Sequence, residues 1–172
     1  MPELPGTPGQ ADLLDQVLGL KTGDFLSELR RLRPEFVDGA EICRHAVLSP
    51  ARDQGLPQGL RLALAARMAR LNRDDALTAI YDQGLKNVGP DGLQAKIATG
   101  NTPEHADILL AAILRHCDLI TLDPRHAAKS DIEHLAAAGL TNPQIVALSE
   151  LIAFVNFQTR ITAGLRLLGV RG

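Results

Sequence analysis

Apolar side chains recur at three- and four-residue spacing along most of this chain, which is the stripe of a packed helix rather than the alternation of a strand. Leu13, Leu14, Val17, Leu18 and Leu20 mark a first helix, with Asp12 as its cap and Gly19 to Gly23 as its end. Phe25 to Leu32 reads as a second, stopped at Arg33-Pro34 because the residue before proline is pushed out of the α region. A third runs from about Glu35 to Leu48. Leu60, Leu64, Arg67/Met68 and Leu71 define a helix from 60 to 71, with Ala63, Ala65, Ala66 and Ala69 between them. The cap-type residues Asn72 to Asp75 then turn the chain into another helix, about Asp75 to Leu85. Gly84, Gly89, Pro90, Gly92 and Gly100 punctuate a less regular stretch with one short helix, Leu93 to Ala98. Pro103, behind Thr102, is read as the first residue of a helix reaching Cys117. Ser130 starts a helix that Gly139 closes, and Thr141-Asn142-Pro143 opens the last, which reaches about Leu168. That final helix spans roughly 25 residues, or about 38 Å. Its apolar side chains occupy most of the circumference, so it is expected to be buried on several sides and in part against another subunit.

Leucine (29) and alanine (23) far outnumber valine and isoleucine together (17), which favours an all-α fold. A length of 172 residues suits one domain: residues 11–172, with a core hairpin at about 57–86 and closing helices at about 103–168, behind a flexible Pro/Gly-rich arm at 1–10. Aromatics make up 3% of the chain and its formal net charge is −2. That removes both the stacking platforms and the positive field that nucleic-acid binding needs. Two cysteines cannot frame a disulfide scaffold, and the chain carries neither a run of 18 apolar residues nor a basic-then-apolar leader. A cytoplasmic protein without membrane association is the expectation.

Local chemistry is sparse. The histidines, at 45, 105, 116, 126 and 134, never stand four residues apart, and no Cys-x-x-Cys exists, so neither a metal site nor any other cofactor site has a signature. His105 and His116 are expected on one helix face, about 16 Å apart. Cys117 lies in His116-Cys117-Asp118 near an expected helix C-terminus, which would raise its thiol pKa. It reads as a buried structural cysteine, and so does Cys43.

Two blocks carry a resemblance. Arg61-Leu62-Ala63-Leu64-Ala65-Ala66-Arg67-Met68-Ala69-Arg70-Leu71-Asn72, with Ala76-Leu77-Thr78-Ala79-Ile80-Tyr81 after the corner, resembles the core hairpin of the carboxymuconolactone decarboxylase family. That family includes alkyl hydroperoxidase D-like and peroxidase-related proteins. Lys129 to Thr141 and Ile145 to Arg160 look like the closing half of the longer peroxidase-related members. The resemblance covers residues 57–168 and implies an all-α fold assembled as a dimer, trimer or hexamer. Active alkyl hydroperoxidase D-like members carry Cys-x-x-Cys-x-x-x-His at the start of the second hairpin helix, with a glutamate twelve residues upstream of the first cysteine. A helix N-terminus stabilises a thiolate there, and the second thiol resolves the sulfenic acid. The matching positions in this chain are Asp74, Leu77, Tyr81 and Leu62, so the resemblance carries the fold without the dithiol centre.

Asp74 therefore reads first as a helix cap and second as a carboxylate base in a vestigial pocket. Tyr81 reads as a packing residue, or as a hydroxyl standing where the family has histidine. Glu150, Asn156, Gln158 and Arg160 are polar groups on a mostly apolar helix, expected in an interhelical network or a pocket wall. Three functions are compatible with this reading. One is a non-catalytic oligomer, alone or beside a paralogue that keeps Cys-x-x-Cys. A second is a cysteine-independent enzyme of the decarboxylase type, and a third is a peroxidase working through Cys43 or Cys117.

Overall fold

The computed structural model describes residues 12–104 and 106–169. Among them stand nine α-helices and one 3-10 turn, and no strand. The helices are α1 (Leu13–Leu18), α2 (Phe25–Arg31), α3 (Pro34–Leu48), α4 (Gln58–Leu71), α5 (Asp75–Val88), α6 (Gly92–Ala98), α7 (Ile108–Leu122), α8 (Lys129–Ala137) and α9 (Asn142–Gly169); the 3-10 turn is Pro124–His126. The all-α class expected from composition is what the chain adopts. The arm at 1–10 and His105 lie outside the described residues.

The caps explain the boundaries. Asp12 accepts the Asp15 N–H at 2.8 Å, and Gly19 leaves α1 through a left-handed φ of 65°. Pro34 opens α3 instead of preceding it, because proline's fixed φ and missing N–H suit the first turn. The helix expected from Pro103 to Cys117 is displaced. It starts at Ile108, since the Asp107 carboxylate accepts the Leu110 N–H at 2.7 Å while the Pro103 carbonyl closes a turn with the Ala106 N–H. It then runs to Leu122, so Cys117 lies inside the helix and not at its end.

The centre of the fold is α4, which touches α3, α5, α6, α7 and α9. Every residue from Arg61 to Ala69 is buried. Four alanines among these let the surrounding helices approach closely. Gly84 on α5 does the same from the other side, because a Cβ there would sit 3.2 Å from Leu62 Cδ2. Burial of Leu64, Met68, Leu148 and Leu151 in this core stabilises the fold by roughly 2 kcal/mol per side chain.

Two buried arginines tie the irregular segments to α4. Arg61 donates to the carbonyls of Leu56 (2.7 Å), Val47 (2.8 Å) and Asp53 (2.8 Å), which fixes the α3–α4 connection. Arg67 forks onto Asp118 at 2.7 and 2.6 Å and reaches the Asn101 carbonyl at 3.0 Å, which fixes α7 and the segment after α6. The planar guanidinium suits both tasks, since it presents several donors in a fixed arrangement.

Candidate functional site

The corner between α4 and α5 holds the positions matched to the dithiol motif. Asn72 ends α4 and Arg73 turns through a left-handed φ of 58°. Asp74 then caps α5, its Oδ1 accepting the Leu77 N–H at 3.1 Å. The last third of α9 supplies the rest of its partners. Thr162 Oγ1 donates to Asp74 Oδ2 at 2.6 Å. The Arg166 guanidinium donates to both carboxylate oxygens, at 3.0 and 2.9 Å. Asp74 is only 4% exposed. Burial alone would raise its pKa, but Arg166, Thr162 and the Leu77 N–H together outweigh it and hold the carboxyl below its ordinary range. An ionised carboxylate with both oxygens engaged has no proton to give and no free lone pair aimed at a substrate.

Two turns further along α5, the Tyr81 hydroxyl donates to Gln158 Oε1, and both side chains are buried. Burial pushes the Tyr81 phenol well above its ordinary pKa, so it stays protonated. Leu62 and Leu77 are buried apolar side chains. Gln158, Thr162 and Arg166 follow one another at four-residue spacing, one above the next on α9, and this polar rail faces Asp74 and Tyr81. Thr162 and Arg166 were not singled out from the sequence. Their spacing with Gln158 was the available signal.

The polar groups named on α9 do not converge on one pocket. Asn156 is buried and joins three helices: its Oδ1 accepts from Asn72 Nδ2 at 3.1 Å, and its Nδ2 donates to Thr121 Oγ1 at 3.3 Å and to the Ile152 carbonyl at 3.0 Å. Arg160 donates to the Asn156 carbonyl, at 3.0 Å. Glu150 is exposed, and its charge acts on Arg61.

Both cysteines are free thiols, Cys43 exposed on α3 and Cys117 buried on α7. Burial first, and Asp118 second, push the Cys117 thiol far above its ordinary pKa. The helix-end effect expected at this position does not apply, because α7 continues past it. His45, His126 and His134 are exposed, whereas His116 is buried. No group of three His, Cys, Asp or Glu side chains among the described residues is placed to hold a metal ion. No described helix is long and apolar enough to cross a membrane.

No family model matches the sequence. No curated protein matches it either. A solved structure does: the uncharacterized peroxidase-related protein from Silicibacter sp. TM1040 superimposes with a TM-score of 0.69 over 95% of this chain and 88% of its own, at 14% sequence identity. With so little identity, the likeness establishes that this chain shares the helical fold of a peroxidase-related protein.

Proposed function

We propose that this protein is a carboxymuconolactone decarboxylase-like, alkyl hydroperoxidase D-like scaffold that lacks the dithiol peroxidase reaction and acts through assembly. One observation carries the reading. At the helix start where the dithiol members hold their thiolate, this chain has Asp74, buried and bound on both oxygens by Arg166, Thr162 and the Leu77 N–H. Peroxide reduction by the sulfenate route needs an accessible thiolate with a second thiol in reach. A carboxylate has no oxidisable sulfur. Of the two thiols elsewhere, Cys117 is buried and held protonated.

The cysteine-independent alternative needs a free acid or base at this corner, and the hydrogen bonds of Asp74 and Tyr81 leave neither free. Support for assembly comes from exposed apolar side chains. Val146, Phe157, Leu167 and Leu168 stand out from α9, and Phe25, Leu32 and Phe36 from α2, its end and α3. Val146, Phe157 and Leu168 recur every eleven residues, which sets them along one side of α9. A second copy of this chain, or a paralogue that keeps Cys-x-x-Cys, is the occupant proposed.

The test is steady-state consumption of hydrogen peroxide and of an organic hydroperoxide in the presence of a small dithiol. The reading expects the wild-type rate to equal that of the Cys43→Ser/Cys117→Ser variant. Turnover that disappears in the variant would overturn it.

A further inference from the structure

A groove of about 410 Å³ lies between α7, α8 and α9, beneath the segment that follows the 3-10 turn. It lies along α9 from the Asp74 corner, at Ile152 and not at Thr162, which is ten residues or about 15 Å away. Its walls are mainly apolar, with Ile120 from α7, Ile132 from α8, and Ile152 and Ala153 from α9. Three polar side chains reach it. Ser149 donates its hydroxyl to the Ile145 carbonyl at 2.8 Å. Lys129 is paired with Glu133 at 3.0 Å and is almost fully solvated. The third, His116, is 4% exposed, and its Nδ1 is buried without a hydrogen-bond partner.

That combination is unusual for a structural histidine, because an unsatisfied buried polar atom costs about 1–3 kcal/mol. Such groups in folded proteins call for a reason, and an absent ligand is one. We propose that this groove binds a neutral apolar molecule bearing one hydroxyl, of the phenol or alicyclic alcohol class, which hydrogen-bonds to the His116 imidazole. A hydroxyl both donates and accepts, so it pairs with either tautomer of a neutral ring. Burial lowers the tendency of His116 to protonate; Asp131 opposes this and Arg115 adds to it. Those two charges are paired to each other at 2.8 Å. A carboxylate ligand would have to shed its water against isoleucine and alanine walls, with Lys129 already held by Glu133. Apolar walls with one convergent polar group are the common construction of a small-molecule site.

The test uses phenol, toluene and benzoate as probes of nearly equal size, titrated into the full-length protein while the histidine ring and isoleucine methyl NMR signals are followed. Phenol is expected to shift the signals of His116, Ile132 and Ile152, and to bind at least fivefold more tightly than toluene or benzoate. His116→Leu should bring phenol and toluene to equal affinity. Ile132→Trp, at a position that is 40% exposed, should fill the groove and abolish binding of both. The proposal fails if phenol leaves these signals unmoved, if benzoate binds more tightly than phenol, or if Ile132→Trp leaves phenol binding intact.

Discussion

Arg166 and Asp74, ninety-two residues apart in the chain, meet as a two-pronged ion pair that fastens the end of α9 to the start of α5. The arginine side is partly solvated and the aspartate side is buried, with side-chain exposures of 42% and 4%. Their contributions are therefore unequal. Removing the aspartate strips α5 of its cap, whereas removing the arginine leaves a buried carboxylate supported by two neutral donors.

Asp74→Ala should lower the free energy of unfolding by about 2 kcal/mol, through loss of a helix cap and a partly buried ion pair. Asp74→Asn should cost less, since the amide oxygen still accepts from Leu77. The folded pKa of Asp74 lies below its ordinary value of 3.8. Its electrostatic contribution is therefore complete above that value and lost as the pH falls through the lower folded one. Urea denaturation at pH 6 and pH 3 checks both points, and Asp74→Asn should flatten part of the acid decline.

Tyr81→Phe should destabilise by about 1–3 kcal/mol, because it leaves the buried Gln158 oxygen without a donor. Replacing both partners, as Tyr81→Phe/Gln158→Leu, removes the orphan. The double variant should then be less destabilised than the two single changes added together. A double-mutant cycle in urea measures the difference.

A thiol reagent such as dithionitrobenzoate should titrate one cysteine in the native protein and two after denaturation. Cys43 is exposed and reacts at once, and Cys117 reacts only as the protein unfolds. Cys43→Ser should abolish the native reaction, and Cys117→Ser should leave it unchanged.

The exposed face of α9 supplies the assembly prediction. Leu167 is 71% exposed, so Leu167→Glu should leave the monomer's stability within about 0.5 kcal/mol of wild type. Placed in the proposed apolar interface, the same charge should lower the self-association constant at least tenfold. Sedimentation equilibrium of the two proteins measures it.

The helices could be read from the sequence because the packed faces repeat at helical spacing and the caps lie beside them, as with Asp12 before α1 and Asp74 before α5. The start of α7 could not, because Pro103 and Asp107 both carry start signals and the choice depends on where the helix must lie against α4 and α8. The resemblance marks α4 as part of a core hairpin, but its enclosure by five helices is not legible in its own residues, since alanine and arginine do not mark a helix as enclosed until its neighbours are known. At the corner, the departure of Asp74, Leu77, Tyr81 and Leu62 from the dithiol pattern was plain in the resemblance. Thr162 and Arg166 share four-residue spacing with Gln158, but that spacing does not show that they meet Asp74, which lies 88 and 92 residues away in the chain. In the sequence His116 is one histidine among five, and its burial without a partner exists only in the folded chain.

The most direct measurement is the rate of sulfenic acid formation, trapped with dimedone and assigned to each cysteine by mass spectrometry within seconds of adding one equivalent of peroxide. The account predicts no label on Cys117 and labelling of Cys43 no faster than that of free cysteine. Rapid, stoichiometric labelling of either thiol, followed by its recovery with a dithiol, would contradict it.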